Sequence, residues 1–131
     1  MKLALLNTTI ATNDGCYQLH GIDLATARSI FDEALKHDAF VSHIGHSSTA
    51  QVMGELLGGS IEVSRAPLSQ AENQAALCLK LGPEGEMWRA EEARIYTAEE
   101  MEEVGYSFKL LIRLPDACAQ PSDLRSLFEI Y

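Results

Sequence analysis

Apolar residues recur along the first sixty positions in two alternating patterns. Short apolar runs rich in Leu, Thr and Ile are typical of buried strands, whereas apolar positions three and four apart are typical of an amphipathic helix. Asp23 is a suitable N-cap for a first helix, and Gly58 with Gly59 is expected to end a second. The pattern therefore predicts strands at 3–11, 16–19 and 40–44, a helix at 23–37, and a helix that begins near Ser47 or Ser48.

The second half of the chain is predicted to be rich in strands. Thr97 followed by Glu100 is a capping-box pattern, which predicts a short helix ending at Gly105. A terminal helix is predicted at 122–131. Apolar runs predict the remaining elements, which are strands at 61–68, 75–81 and 106–114.

These elements predict an α/β fold built as a single domain. Strands that alternate with helices favour a mixed, mostly parallel sheet of about five strands flanked by helices. A length of 131 residues fits one domain with one core, and no linker or internal repeat divides it. We expect residues 1–114 to form the domain and residues 115–131 to be a partly helical C-terminal extension of it.

The composition is that of an acidic globular protein, with 47% hydrophobic and 22% charged residues. A net charge of −9 excludes a general basic surface for long nucleic acid. The glutamate-rich run at 90–103 is best explained as a solvated helical face. No stretch approaches the length of a transmembrane helix, and the first apolar run is too short for a signal peptide. We therefore expect no membrane partner.

The three cysteines, Cys16, Cys78 and Cys118, are scattered along the chain. An odd, widely spaced set argues against a disulfide framework and against a cysteine-rich zinc site. We therefore expect a reduced protein in the cytoplasm, which would be the host cytoplasm if a virus encodes it.

The segment 41–50 combines a predicted strand, a tight turn and a helix start. Gly45 permits a close backbone path, and the first-turn amides of Ser47, Ser48 and Thr49 would point out of the helix start, where the dipole favours an anion. His46 stands beside them, and a histidine next to a phosphate can donate a proton to a leaving oxygen. Taken alone, the segment is better explained as an ordinary capped helix with a surface histidine.

The same segment contains His43-Ile44-Gly45-His46. Two histidines three positions apart across a strand-to-turn junction need not face one point, and no carboxylate or cysteine stands at ligand spacing, so we expect no metal site. The letters also match the HIGH signature of class I synthetases and related nucleotidyl transferases. A transferase stays an alternative that predicts magnesium-dependent triphosphate binding, although no KMSKS-like loop is present and the chain is short for that fold.

Four further positions are candidate ligand groups. Asn7 and Thr8 follow the first apolar run, where open α/β sheets bind ligands. Arg65 could hold a phosphate, and Glu84 lies in a Pro-Glu-Gly turn. Each also has a plain structural explanation: a strand end, a surface ion pair or a solvated turn residue.

Taken together, these segments resemble the viral and bacterial ring nucleases of type III CRISPR conflict, whose first characterised members are anti-CRISPR proteins of archaeal viruses. The resemblance covers about residues 3 to 114 in order and rough spacing. Its most specific piece is Ile44-Gly45-His46-Ser47-Ser48-Thr49-Ala50. The other matching segments are 5–8, 63–65, 83–85 and 105–113.

The resemblance implies a homodimer that binds cyclic tetra-adenylate across its two-fold axis and works without metal or cofactor. The substrate's own ribose 2′-OH would attack the adjacent phosphorus and leave a 2′,3′-cyclic phosphate on linear di-adenylate, which switches off type III CRISPR signalling. His46 would protonate the leaving 5′-oxygen, and Glu84 would position or assist the reacting groups. The candidate ligand-binding residues are Asn7, Thr8, Gly45, Ser47, Ser48 and Arg65.

The sequence departs from that family in two places. The family often carries an arginine three residues before the turn glutamate, where this chain has Leu81 next to Lys80. This difference keeps a second reading open, a non-catalytic protein that sequesters the messenger. Residues 86–97 resemble an insertion and residues 116–131 extend past the usual end, and either could reshape the ligand lid or the dimer surface. The acidic stretch and the extra tail keep open a further alternative, a host-factor interaction protein without a small ligand.

Overall fold

The computed structural model describes residues 1–81 and 105–116 of the chain. The helices predicted near residue 97 and at 122–131, the acidic run, the C-terminal extension after Asp116, and Glu84 lie outside these residues. The elements are β1 (Leu3–Leu6), β2 (Tyr17–Ile22), α1 (Leu24–Lys36), β3 (Phe40–Ser42), α2 (Ser47–Leu57), β4 (Ala75–Leu81) and β5 (Tyr106–Arg113).

The described strands form one five-stranded mixed sheet in the order β2-β5-β4-β1-β3. β1 pairs in parallel with both β3 and β4, whereas β5 pairs antiparallel with β4 and with β2. Four strands therefore run in one direction and β5 runs against them. This arrangement confirms the predicted α/β domain with a mixed sheet of five strands.

Strand β1, which lies between β3 and β4, is buried along its whole length because both of its faces are covered. Leu3 and Leu5 face a core shared with the two helices, and Ala4 and Leu6 face a second apolar cluster on the other side. A strand buried on both faces is expected to be continuously apolar, as the sequence of β1 is.

The two helices cover the first face of the sheet. Asp23 caps α1, because its carboxylate accepts a hydrogen bond from the Thr26 amide at 2.8 Å. α2 ends at Gly58, which adopts a left-handed conformation with φ 85°. Next to it, a Cβ on Gly59 would lie 2.5 Å from Cε2 of Phe31, so only glycine lets α1 and this turn approach so closely.

Irregular chain covers the second face of the sheet, which carries Ala4, Leu6, Ala76, Cys78 and Leu111. Residues 7–16 and 67–74 lie side by side there, joined by hydrogen bonds from Asn13 to Ser69 (3.0 Å) and from the Gln70 amide to Thr12 (2.9 Å). Gln70 is fully buried, and its side chain donates to the carbonyl oxygens of Gln74 and Leu111. These polar contacts fix the irregular segments against the sheet.

Several predicted boundaries were wrong. Residues 61–68 are not a strand: Ile61 packs into the core, but Val63 is 47% exposed and Pro67 has no amide to donate to a ladder. β1 ends at Leu6, well before residue 11, because the polar residues after it leave the sheet. β2 begins at Tyr17 and continues to Ile22, three residues beyond the predicted strand.

The cysteines also differ from expectation. Cys16 is disulfide-bonded, which corrects the prediction of a chain without disulfides. Cys78 is a free thiol on the second face of the sheet, where burial raises its pKa to about 11. In the part of the chain that the structure describes, no helix combines the length and apolar character needed to cross a membrane.

Candidate functional site

The ends of three parallel strands define one edge of the sheet. β1, β3 and β4 run in the same direction, so the residues that follow them emerge together. Asn7 and Thr8 leave β1 at this edge, and the His43 amide donates to the carbonyl oxygen of Leu5 at 2.9 Å, which holds the exit of β3 against β1. The carboxyl edge of such a sheet is the usual place for a ligand.

Helix α2 begins at this edge. His46 is its N-cap residue in an extended conformation (φ −116°, ψ 126°), and its carbonyl oxygen accepts the first helical hydrogen bond from Ala50 at 3.0 Å. The His46 side chain makes no capping hydrogen bond, so it does not neutralise the amides of the first turn. With no acidic residue in that turn, the helix start is suited to an anion.

The side chains around this helix start have different exposures. His46 and Ser47 are exposed, Ser48 is half-buried, and Thr49 is buried beneath them. The imidazole of His46 is therefore accessible to a molecule that sits on the helix start. This geometry fits a donor of a proton to an oxygen of a bound phosphate.

Arg65 lies beside the same turn although it is distant in sequence. The Ser64 amide donates to the carbonyl oxygen of Ile44 at 2.9 Å, which lays this segment along the turn before α2. A Cβ on Gly45 would lie 3.4 Å from Cγ of Arg65, so glycine at this position leaves room for the arginine side chain. Arg65 is exposed, and the salt bridges among the described residues do not include it.

Comparison with known proteins assigns this chain to a family. The family model described as STIV B116-like matches residues 3–108. This chain belongs to the STIV B116-like family. It is 34% identical over 116 residues to the uncharacterized protein YddF of Bacillus subtilis (strain 168), a match that covers 87% of this chain and 99% of YddF.

A solved structure shows the same fold in this family. The protein B116 of Sulfolobus turreted icosahedral virus superposes with a TM-score of 0.72 at 18% identity, covering 86% of this chain and all of B116. At that identity the likeness establishes the fold. The five-stranded mixed sheet and the two helices described above are thus the B116 architecture.

In this B116-like chain, the sequence analysis missed the role of His43. Its Nδ1 lies 2.8 Å from the carbonyl oxygen of Ala66. Because a carbonyl can only accept, Nδ1 carries the hydrogen, which leaves Nε2 as the acceptor nitrogen of the neutral ring. His43 thus fastens the segment that carries Arg65 to the end of β3. No sequence signal indicates this contact, which spans 23 positions.

The structure thus brings seven of the predicted site residues to one edge. Asn7 is half-buried and Thr8 is exposed where β1 ends, next to the turn that holds Gly45. The eighth, Glu84, is outside the described residues. Within residues 1–81 and 105–116, no three metal-binding side chains come together. The residues grouped at this edge are Asn7, Thr8, Gly45, His46, Ser47, Ser48 and Arg65.

Proposed function

We propose that this protein is a metal-independent ring nuclease that cleaves cyclic tetra-adenylate. The observation that carries the proposal is His46 at the start of α2, whose exposed side chain makes no capping hydrogen bond, with Arg65 beside the same turn. A phosphate on the first-turn amides would meet a proton donor and a guanidinium at once.

The proposed reaction uses the substrate's own nucleophile. The ribose 2′-OH attacks the adjacent phosphorus, the bond from phosphorus to the 5′-oxygen breaks, and His46 gives that oxygen its proton. The proton of the 2′-OH passes to water or to Glu84, and the product ends in a 2′,3′-cyclic phosphate. Two such cuts convert one ring into two linear di-adenylates. Positioning and charge stabilisation supply the rate enhancement, since no metal takes part.

The proposed binding mode assigns a task to each remaining residue. Arg65 and the amides of Ser47 and Ser48 hold phosphate oxygens, and Asn7 and Thr8 contact the ring from the end of β1. A two-fold homodimer suits a ring with four equal repeats, because each subunit then meets the same chemical face. Cleavage of the ring would end type III CRISPR signalling in the cytoplasm, where the messenger is made.

The deciding experiment incubates the purified protein with cyclic tetra-adenylate in EDTA and follows the ligand by mass spectrometry. We expect linear di-adenylate with a cyclic phosphate to accumulate. Loss of cleavage in EDTA with recovery in magnesium would instead favour a metal-dependent transferase or nuclease. An intact ring that does not bind would refute the proposal.

A second candidate function is sequestration of the same messenger without cleavage. The observation in its favour is the aliphatic Leu81 at the end of β4, where the resembling ring nucleases often carry an arginine. If that arginine stabilises charge in the transition state, its loss would slow cleavage more than binding. Tight binding with an intact ring after prolonged incubation would favour this function.

A further inference from the structure

The second face of the sheet carries two lysines near the candidate site. The pairing registers place Leu6, Cys78, Lys109 and Gly21 in one row across the sheet, from β1 to β2. Lys80 lies two positions after Cys78, closer to the carboxyl edge and opposite Ser107. Residues two apart on a strand share a face, so Lys80 and Lys109 project from the same face on neighbouring strands.

The two residues paired with Lys109 on the neighbouring strands are both small. Gly21 has no side chain, and a Cβ there would lie 3.2 Å from Nζ of Lys109, so the ammonium group rests over the backbone of β2. On the other side Cys78 is small and fully buried. Lys80 and Lys109 are both half-buried, which keeps their stems on the sheet while their ammonium groups can reach a ligand.

Neither lysine has a carboxylate partner in the described part of the chain, where the salt bridges join Glu33 to His37 and Arg113 to Asp116. This is notable in a protein with 19 acidic and 10 basic residues. On this face the described acids lie at the opposite edge. Asp116 binds Arg113 at the end of β5, and Glu72 accepts a hydrogen bond from the Asp116 amide.

The charge on this face is therefore divided along the strands. Among residues 1–81 and 105–116, lysines occupy the half next to the carboxyl edge and carboxylates occupy the half next to the amino edge. A multiply charged anion would be attracted to the first half and repelled from the second.

We propose that Lys80 and Lys109 form a second phosphate subsite, which extends the His46 site around the carboxyl edge onto the second face of the sheet. Lys80 is two strand spacings from the end of β3 and Lys109 is three, or roughly 10–15 Å. One phosphate cannot span that distance, so the combined site selects a ligand with several phosphates held in one molecule. This inference rests on the proposed function. It adds that the lysines make binding depend on the number of phosphates in the ligand.

The test compares binding of a non-cleaved cyclic tetra-adenylate by the His46→Ala protein and by the same protein carrying Lys80→Met and Lys109→Met. We expect the two added substitutions to weaken binding by about tenfold or more. They should also lower the slope of log affinity against log salt by about 0.7 for each lysine. Lys36→Met, in the last turn of α1, is the matched control and should change neither quantity.

Lys80→Arg with Lys109→Arg should restore both affinity and salt dependence, because the charge returns. A loss of affinity with an unchanged salt slope would indicate a structural effect and overturn the subsite. Unchanged affinity in the methionine variant would overturn it as well, while the proposed function would stand. If the protein with both lysines intact fails to bind the ring, the proposed function fails and takes this inference with it.

Discussion

Nδ1 of His43 and the carbonyl oxygen of Ala66 are 2.8 Å apart, and this contact joins the loop before α2 to the loop after it. One loop leads from β3 into α2 and carries the candidate proton donor. The other carries Arg65, the candidate phosphate ligand. Two hydrogen bonds therefore hold the loops together: the one from the His43 side chain to Ala66, and the backbone hydrogen bond from the Ser64 amide to the Ile44 carbonyl oxygen.

We expect His43→Leu to lower the free energy of unfolding by about 1 kcal/mol, because it deletes one hydrogen bond. Affinity for the ring should fall by more than this loss of stability alone would cause, because Arg65 would lose its fixed position. Nitrogen NMR of the folded protein should find the hydrogen on Nδ1 of His43. A hydrogen on Nε2 in the neutral ring would contradict the hydrogen bond from His43 to Ala66.

His46→Ala is expected to reduce the cleavage rate by about 10²–10⁴, the usual contribution of a general acid. Binding should be largely retained, because the helix-start amides and Arg65 remain. His20→Ala is a suitable control, since His20 is exposed on β2 at the other side of the sheet. Turnover that survives in the His46 variant would refute its assignment as the acid.

Arg65→Met should weaken ring binding by about tenfold, the effect of losing one charged hydrogen bond to phosphate. Arg65→Lys should recover part of the loss, because lysine keeps the charge but not the paired donors. Titration calorimetry of both variants measures the difference. Equal affinity in the methionine variant would show that Arg65 faces solvent.

The buried thiol of Cys78 makes a prediction about pH. Burial raises its pKa from 9.0 to about 11, so the native thiol stays protonated where the unfolded one ionises. Its contribution to stability is present below about pH 9 and is lost as the pH rises toward 11. We expect Cys78→Ala to unfold with a weaker dependence on pH in that window. Alkylation of native Cys78 at pH 8 should be no faster than unfolding.

Much of the fold follows from the local sequence. α1 was predicted from its Asp23 cap and apolar spacing, and α2 from the stop at Gly58, because caps and periodicity act within one or two helical turns. Residues 61–68 were predicted wrongly as a strand. Their apolar side chains are explained by packing of Ile61 into the core, and the sequence does not say whether a neighbouring strand is available.

The site was predictable in its types of residue but not in its assembly. The turn around Gly45 and His46 is local, so its anion-binding character could be inferred from the sequence. The approach of Arg65 to Gly45 and the tether from His43 depend on how the chain returns over the edge of the sheet. Nothing in the spacing of these residues along the chain indicates that return.

The position of β1 at the middle of the parallel strands has a consequence for folding. Its partner β3 begins about forty residues further along the chain, and its partner β4 begins about seventy residues further along. Neither pairing can therefore form from contacts that are local in sequence. The edge that gathers Asn7, His46 and Arg65 does not exist until both distant strands have docked. Acquisition of ligand binding during refolding should therefore coincide with the final cooperative step, and fragments that end before β4 should have no affinity for the ring.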